Sequence, residues 1–474
     1  MPTLPERAWT QLNRARLELD DLTVCLCASI DDDLPPLNYG QCFVRDFAMC
    51  APAFLLRGEA DVVKRFLETV VALQQKEHAV EAFQPRRGLM PASFHPVERD
   101  GRRVMRGDYG ERSIARVTPV DSVFWWLITL RAYTQATGDT ELAARDDFQT
   151  AIHFILELAL EGSFELFPTL LVPDGSFMID RRLGVYGHPL EVQALFFAAL
   201  RSALEFLDDD DEWREPVERR LRHLTFHVER HYWLDRAHLD ALRASEVDQY
   251  GDDVSNAFNI SPGSMPDWIE EWLPDDGTGY FAGNVGPGRI DFRFFSQGNL
   301  LACSSGLATP EQRNGLMSLV EARWDDLVGK APLRLVYPAL EGEEWVIVTG
   351  ADRKNEPWRY HNGGSWPCLL WAFASATVAS GRPDLLARAV EATEARIEEE
   401  RWPEYYDGRH DPRPGERARR WQSWSMGAYL YAKACLEDPS AIRLYCWMER
   451  MDEIPPEEAM PAEDREVDRQ PTPS

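Results

Sequence analysis

Six segments of this chain share one pattern, in which a polar and aromatic start runs into a helix candidate rich in apolar and small residues. They begin at Tyr39, Thr118, His188, Asp291, His361 and Trp421. Because a helix that is apolar on most faces is buried, these segments predict six internal helices. Helix candidates with ordinary one-sided amphipathicity lie between them, beginning near Pro5, Glu59, Thr140, Asp211, Pro310 and Pro383. The alternation predicts an all-α fold, an (α/α)6 barrel with the buried helices inside.

Two segments depart from this helical pattern. Leu333 to Thr349 has the β-branched and aromatic content that is typical of short strands. The run from Gly101 to Gly107 lies between two glycines and is too brief for a stable helix. We therefore expect short β-strand excursions from the barrel. No interdomain linker is visible, so we expect a single catalytic domain over residues 1–452 and, because its composition is acidic and Pro-rich, a disordered tail over 453–474.

The charge of the chain limits its partners. The formal net charge of the 474 residues is -28, and both nucleic acid and anionic membranes need a basic surface. The N-terminal residues lack the apolar core of a signal peptide, and no apolar run approaches the roughly 20 residues of a membrane span. We expect no nucleic-acid or membrane partner and a cytoplasmic location. The eight cysteines form no CxxC pair, which favours buried reduced thiols over a zinc site.

Two carboxylates far apart in the chain have surroundings that suit sugar chemistry. Asp180 follows the run DGSFMI, and Glu404 lies in RWPEYYDG; each is close to aromatic or cationic residues and to a turn. Most glycoside hydrolases need two carboxyl groups that face one glycosidic bond. The two acids would meet if the polar starts of the buried helices converge at one end of the barrel.

The converging starts would also gather arginines, further acids and indole rings. Polar groups that bind hydroxyls and flat rings that pack on C–H faces are what sugars require. The predicted binding residues are Arg45, Asp46, Asp121, Trp126, Arg181, His188, Glu191, His361 and Gln422. A single acid or arginine at a helix start is more often a cap or an ion-pair partner, so the prediction depends on the clustering of these residues.

Long motifs in the same order carry a family resemblance. They include NYGQCFVRDF, ERSIARVTPVDSVFWW, DGSFMIDRRLGVYGHPLEVQALF and YHNGGSWP. The chain closely resembles the alkaline/neutral invertases, glycoside hydrolase family 100, from about Arg14 to Asp438. The resemblance implies an (α/α)6 barrel that hydrolyses sucrose with inversion, with no metal or organic cofactor and with possible homo-oligomers. It gives Asp180 the role of general acid and Glu404 that of general base.

The resemblance also leads to expectations about individual side chains. Inversion requires the two carboxyl groups to lie about 6.5–9.5 Å apart, which leaves room for a water. Asp180 must keep its proton, helped by burial or by Glu191, so we expect Arg181 and Arg182 to point away from it. Arg45 and Asp46 would bind glucosyl hydroxyls, with Trp126 as a stacking platform. His188 would either recognise a hydroxyl or only cap its helix.

Several alternative functions fit the same residues. A trehalase or a glucoamylase-like enzyme would also set two acids at the mouth of such a barrel, and a sugar phosphorylase is a related possibility. A non-catalytic sugar-binding or scaffold protein is a further option, although such a protein would have no reason to keep both acids. His223, His227 and His231 have the HxxxHxxxH spacing of a helical metal site, although an exposed outer helix explains the spacing as well.

Overall fold

The structure, a computed structural model, describes residues 2–77, 86–111, 117–160, 165–166, 168–172, 175–179, 181–247, 256, 258–274 and 277–447. The described chain is mostly helical, as the sequence predicts. Its α-helices are α1 (Leu4–Arg14), α2 (Val44–Leu56), α3 (Ala60–Leu73), α4 (Ser122–Thr137), α5 (Thr140–Ala144), α6 (Asp146–Ala159), α7 (Leu190–Leu204), α8 (Arg214–His231), α9 (Arg236–Ala244), α10 (Trp268–Trp272), α11 (Ser296–Ser305), α12 (Pro310–Ala322), α13 (Trp324–Leu327), α14 (Gly342–Thr349), α15 (Leu370–Ala379), α16 (Pro383–Glu394) and α17 (Ser423–Glu437).

Six of the described helices form a closed ring. They are α2, α4, α7, α11, α15 and α17; each packs against the next in this order, and α17 packs against α2. Each lies within one of the six segments whose apolar pattern predicts a buried helix, and most of their residues are buried. The ring therefore explains why these helices are apolar on nearly every face.

Other helices pack on the outside of this ring. α3 contacts α2 and α4, α8 contacts α7, α16 contacts α15 and α17, and α1 contacts α17. In α3 the buried residues recur three or four positions apart, which places them on one face. One-sided amphipathicity thus corresponds to an outer position, because only one face of such a helix meets the ring.

The starts of the ring helices and of the outer helices differ in their capping. Among the described residues, none of the six ring helices has a side chain that caps its N-terminus. The outer helices α1 and α12 instead begin with complete capping boxes at Thr3 and Thr309. The polar residues at the ring starts are therefore used for contacts other than caps.

The described strands are short and lie outside the ring. They are β1 (Arg16–Leu19), β2 (Leu22–Leu26), β3 (Cys42–Phe43), β4 (Ser93–Arg99), β5 (Arg102–Asp108), β6 (Glu165–Leu166), β7 (Thr169–Leu170), β8 (Trp233–Leu234), β9 (Tyr280–Gly286), β10 (Arg289–Phe295), β11 (Val336–Tyr337), β12 (Tyr406–Asp407) and β13 (Arg413–Pro414). Two antiparallel sheets have more than two strands, with the orders β3-β4-β5 and β11-β10-β9-β8.

The strand expectations are partly right. The run from Gly101 to Gly107 falls almost wholly in β5, which forms a hairpin with β4. Between Leu333 and Thr349, however, only β11 is a strand and the last eight residues form α14. Glu343 and Glu344 lie in the first turn of α14, and Gly350 ends it with φ 64°. Favourable charge at the N-terminus and a left-handed C-cap outweigh the β-branched composition here.

The C-terminal segment fills the end of the ring where its helices finish. Arg131, late in α4, donates from Nη1 to the carbonyl oxygens of Arg443 and Leu444 at 3.1 and 3.3 Å. The hydroxyl of Tyr445 donates to the carbonyl oxygen of Ala48 inside the ring. The opposite end of the ring, where its helices begin, therefore remains available for a functional site. The predicted tail over 453–474 lies outside the described residues.

Among the described helices, none is long and apolar enough to cross a membrane.

Candidate active site

A cavity of about 430 Å³ lies at the end of the ring where its helices begin. Its size falls in the range of small-molecule sites. It is lined by Asn38, Tyr39, Phe43, Arg45, Asp46, Val117, Gly175, Ser176, Phe177, Met178, Arg182, Lys354, Tyr360, His361, Trp366, Glu404 and Trp424. The segments that begin at Tyr39, His361 and Trp421 contribute their starts to this lining.

Four of the predicted site residues line this cavity together. Arg45 and Asp46 come from the first turn of α2, His361 precedes α15, and Glu404 precedes α17. These positions span some 360 residues of sequence, so only closure of the ring brings them together. The clustering on which the prediction depends is therefore present for these residues.

Glu404 is buried, and its carboxylate accepts hydrogen bonds from two other residues. The hydroxyl of Tyr39 donates to Oε1 and Oε2 at 3.1 and 3.2 Å, and the backbone amide of Arg419 donates to Oε2 at 3.4 Å. Burial raises the pKa of Glu404, while the positive charge of Lys354 and the Tyr39 hydrogen bond act against this rise. The result is a carboxylate that is more basic than an exposed one.

Asp46 is a second carboxylate at the cavity wall. Its removal from bulk water raises the pKa of Asp46 to about 7; the charge of Arg45 opposes the rise and that of Glu404 adds to it. Two carboxylates in one poorly hydrated space resist joint ionisation. Near neutral pH the cavity can therefore hold a proton on one acid while the other is charged.

Asp121 supports Arg45 and is not among the described residues that line the cavity, so its role as a sugar ligand stays a prediction. Arg45 Nε donates to Asp121 Oδ2 at 2.6 Å, and Trp125 Nε1 donates to the same oxygen at 3.1 Å. Asp121 is buried. Because Asp121 lies on the side of Arg45 away from the cavity, its two hydrogen bonds hold the Arg45 guanidinium in place without facing the cavity.

Glu191 is also behind the wall. Its Oε1 accepts from the backbone amide of Met178 at 3.0 Å and from Gln297 Nε2 at 3.1 Å. Burial raises the pKa of Glu191 to about 8, against the charge of Arg45. Because Met178 lines the cavity, Glu191 acts on the cavity by holding this segment and not as the predicted ligand.

Trp126 is not a stacking platform in this structure. It is fully buried, its Nε1 donates to the carbonyl oxygen of Leu67 at 3.2 Å, and its ring lies 5.6 Å from that of Phe148. Leu67 and Phe148 belong to α3 and α6, so Trp126 faces the outer helices. Successive helix residues point about 100° apart, and its neighbour Trp125 takes the position beside Asp121.

Different aromatic residues line the cavity. Tyr360 and His361 stack with ring centroids 3.9 Å apart, and His361 lies 5.0 Å from Trp366. Trp366 meets Trp424 edge to face at 5.8 Å. The segments before α15 and at the start of α17 thus supply an aromatic surface of the cavity.

His188 and Gln422 are predicted to bind substrate, and the hydrogen bonds described for them join neighbouring segments of the fold. His188 Nδ1 hydrogen-bonds Thr169 Oγ1 at 2.9 Å, and its backbone amide donates to Asn284 Oδ1 at 2.9 Å. Gln422 directly precedes α17, and its backbone amide donates to the carbonyl oxygen of Trp402 at 3.0 Å. Neither is among the described residues that line the cavity.

The predicted general acid, Asp180, lies outside the described residues. The described segment before it includes Gly175 to Met178, which line the cavity. Arg181 begins a short 3-10 turn, Arg181–Leu183, in which its side chain is not described. Arg182 lines the cavity and pairs with Asp352 at 3.5 Å.

Sequence reasoning missed Tyr39 and Lys354 as site residues. Tyr39 stands in the motif NYGQCFVRDF at the polar start of the first ring segment, so its position was a usable signal. Lys354 follows α14 and lies with Nζ 3.7 Å from the ring centroid of Tyr360. No local pattern marks this lysine, because its segment belongs to an excursion and not to a helix start.

The alternative metal site on α8 is not supported. The rings of His227 and His231 lie 4.8 Å apart and both meet Phe258 edge-on. Over the described ranges, no group of three or more His, Cys, Asp or Glu side chains is arranged to hold a metal ion.

Comparison with known proteins identifies the family. The family described as "Alkaline and neutral invertase" matches residues 8–439. This chain belongs to the alkaline and neutral invertase family. Alkaline/neutral invertase CINV1 of Arabidopsis thaliana is 48% identical over 442 residues, which cover 92% of this chain and 80% of that protein. Cytosolic invertase 1 of Oryza sativa subsp. japonica is 47% identical over 439 residues, covering 91% and 78%.

Members of this invertase family occur in several compartments. The neutral/alkaline invertase 1 of Oryza sativa subsp. japonica, named as mitochondrial, is 46% identical to this chain over 449 residues. The alignment covers 92% of this chain and 71% of that protein.

Among solved structures, a GH63 mannosylglycerate hydrolase from Thermus thermophilus aligns with a TM-score of 0.52 at 14% identity, over 90% of this chain and 99% of that one. This likeness concerns the fold alone.

Proposed function

We propose that this chain hydrolyses sucrose to glucose and fructose with inversion at the glucosyl carbon, with Asp180 as general acid and Glu404 as general base. The observation that carries the proposal is the buried Glu404 carboxylate on the wall of the cavity that Arg45 and Asp46 also line. The proposal includes the assignment of the helix ring and its outer helices to an (α/α)6 barrel.

The surroundings of Glu404 suit a general base. Such a base works best when its pKa approaches the operating pH and it is still ionised. Burial raises the pKa of Glu404, and Lys354 and Tyr39 limit that rise. In the proposed reaction Glu404 takes a proton from a water, and the water oxygen attacks the glucosyl carbon on the face opposite the leaving fructose.

Asp180 would supply the proton that the fructosyl oxygen needs in order to leave. The segment that ends next to it, at Ile179, is tied to the ring through the bond from the Met178 amide to Glu191. A cation that stabilised the Asp180 carboxylate would prevent it from holding a proton. The ion pair with Asp352 gives the nearby Arg182 an acidic partner of its own, which supports this role for Asp180.

The glucosyl ring would bind against the aromatic wall. Arg45, fixed by Asp121, and Asp46 supply charged groups for the hydroxyls. His361, Trp366 and Trp424 supply the apolar surface that the sequence assigned to Trp126. Charge-assisted hydrogen bonds and ring stacking together are the usual means of binding a sugar.

A proton NMR time course on sucrose tests the proposal. Sucrose is an α-glucoside, so inversion releases β-glucose first, whereas retention or a phosphorylase would give a different first product. Asp180→Asn and Glu404→Gln should each lower turnover about 10²–10⁴-fold. Glu229→Gln makes the same change on α8, away from the cavity, and should leave turnover near that of the wild type. A loss below about tenfold in either site variant would reject its role, and cleavage of trehalose or maltose in place of sucrose would reject the substrate.

We also propose a cytoplasmic location and assembly into homo-oligomers. A relative named as a cytosolic invertase supports a cytoplasmic location, which cell fractionation would test. Val346, Ile347 and Val348 form an exposed apolar run on α14, which supports homo-oligomers. Light scattering of purified protein measures the assembly, and a monomer at all concentrations would contradict this part.

A further inference from the structure

The hydroxyl of Tyr39 touches both oxygens of Glu404. Its distances to Oε1 and Oε2, 3.1 and 3.2 Å, are nearly equal, so one proton is shared between the two oxygens. The guanidinium carbon of Arg419 lies 4.9 Å from the centroid of the Tyr39 ring. The phenol therefore has a fixed direction, with its ring against a cation and its hydroxyl on the carboxylate.

Backbone hydrogen bonds hold Tyr39 in this position. It lies in the 3-10 turn Leu37–Gly40, where its amide donates to the carbonyl oxygen of Pro36 at 2.9 Å. Its own carbonyl oxygen accepts from the amide of Ser29 at 3.1 Å. The hydroxyl of Ser29 donates in turn to the carbonyl oxygen of Arg420 at 2.7 Å. Tyr39 is thus tied through Ser29 to the segment after Glu404.

The same segment holds Glu404 itself. The amide of Glu404 donates to the carbonyl oxygen of Arg419 at 2.8 Å, and the amide of Arg419 donates back to Oε2 at 3.4 Å. The phenol and the carboxylate therefore belong to one hydrogen-bonded unit, although 365 positions separate them. A unit of this kind fixes the geometry of an acid–base group before substrate binds.

We propose that Tyr39 is a positioning residue that keeps the Glu404 carboxylate in one orientation and stabilises its negative charge. This inference rests on the proposed function, in which Glu404 is the base. A phenol donates a stronger hydrogen bond to a charged carboxylate than to a neutral carboxyl group. Burial and the negative charge of Glu404 raise the pKa of Tyr39 far above its ordinary value, so Tyr39 stays a donor and gives up no proton.

Tyr39→Phe tests this role, because it removes the hydroxyl and keeps the ring over Arg419. Glu404 should then stay protonated to higher pH, which moves the acid limb of kcat/KM for sucrose upward by about one pH unit. The value of kcat near neutral pH should fall about tenfold and recover partly at higher pH. A loss of activity with the acid limb unmoved would overturn the inference, because a structural defect alone does not shift that limb.

Tyr429→Phe is a matched control, because it removes a tyrosine–glutamate hydrogen bond away from the cavity. Tyr429 donates to Glu394 Oε1 at 2.7 Å, and neither residue lines the cavity. Tyr429→Phe should leave the pH profile of sucrose hydrolysis in place, even where it lowers the melting temperature. Tyr39→His keeps an aromatic ring with an N–H donor, so its acid limb should fall between those of the wild type and Tyr39→Phe.

A titration that needs no activity separates this inference from the proposed function. With glutamate labelled at the side-chain carboxyl carbon, the carbon NMR signal of Glu404 is the one that Glu404→Gln removes. Its pKa should be higher in Tyr39→Phe than in the wild type, and equal values would overturn the inference. If the wild type fails to hydrolyse sucrose, the proposed function is rejected while the titration still decides the hydrogen bond. If Tyr39→Phe does not fold, the same comparison is made with Tyr39→Leu, which also removes the hydroxyl, and an unchanged pKa of Glu404 would overturn the inference.

Discussion

Two carboxylates share the cavity, and the groups around each decide how readily it ionises. Asp46 lies beside Arg45, and Glu404 accepts from Tyr39 and the Arg419 amide. Burial is the main cause that raises the pKa of both acids, and the neighbouring charges and hydrogen bonds then modify that rise. At the scale of single residues, function depends on partners that stand behind the cavity wall as much as on those that face it.

Asp121→Asn tests a partner behind the wall. The asparagine oxygen still accepts from Arg45, but the bond loses its charge, and the guanidinium is held less firmly. We expect kcat/KM for sucrose to fall about tenfold, which corresponds to about 1.4 kcal/mol. Steady-state kinetics measure this change, and Asp235→Asn, at the N-cap of α9, is the control. Unchanged kcat/KM in Asp121→Asn would mean that Arg45 needs no charged partner.

Lys354→Met tests the electrostatic environment of Glu404. The positive charge of Lys354 is the largest influence that opposes the raised pKa of Glu404. Its removal should move the acid limb of the kcat/KM profile upward, in the same direction as Tyr39→Phe. Arg353→Met removes the neighbouring exposed cation and should leave the limb where it is. A limb that moves equally in both variants would point to general surface charge instead.

At the scale of helices, close packing in the ring depends on small residues. Gly427 in α17 faces α2, where an added Cβ would lie 2.8 Å from Cys50 Cα and 2.9 Å from its Sγ. Backbone cannot yield as a flexible side chain can. The small residues in the predicted ring segments thus allow neighbouring helices to approach.

Gly427→Ala should therefore lower stability although alanine favours helices. We expect the free energy of unfolding to fall by about 1–3 kcal/mol, because overpacking forces α2 and α17 apart. Denaturant unfolding followed by circular dichroism measures this loss. Glu437→Ala, at an exposed position near the end of the same helix, is the control. An equally or more stable Gly427→Ala would show that the ring tolerates a wider helix spacing.

At the scale of the whole molecule, enclosed titratable groups couple stability to pH. Enclosure, with the neighbouring His231 and His188, lowers the pKa of His227 from 6.5 to about 3. In the unfolded chain His227 takes up its proton near 6.5, whereas in the folded chain it stays neutral down to about 3. Between these values the unfolded state binds the extra proton, so stability falls as the pH drops below about 6.5.

His227→Gln should remove part of this acid sensitivity. Between pH 7 and pH 5 the wild type should lose about 2 kcal/mol more of unfolding free energy than the variant. Thermal or urea unfolding at both pH values provides the comparison. The exposed His410→Gln should behave as the wild type. Parallel losses in the wild type and His227→Gln would mean that other groups govern the acid response.

The sequence by itself determined which helices are buried, because apolar and small residues on every face leave no other stable position. It also indicated that the helix starts converge, and Arg45, Asp46, His361 and Glu404 do line one cavity. Local patterns were sufficient in these cases because burial and periodicity are properties of the segment itself.

Only the tertiary structure decided which contacts are made by the polar and aromatic residues at the start of each ring helix. Trp126 lies one residue from Trp125 and turns to the outer helices, while Asp121 and Glu191 serve the cavity from behind. Periodicity could not separate these positions, because a residue at a helix start has the same local pattern whether it faces the cavity or its wall. The contact between Tyr39 and Glu404 joins opposite ends of the chain, and it exists only because the ring closes.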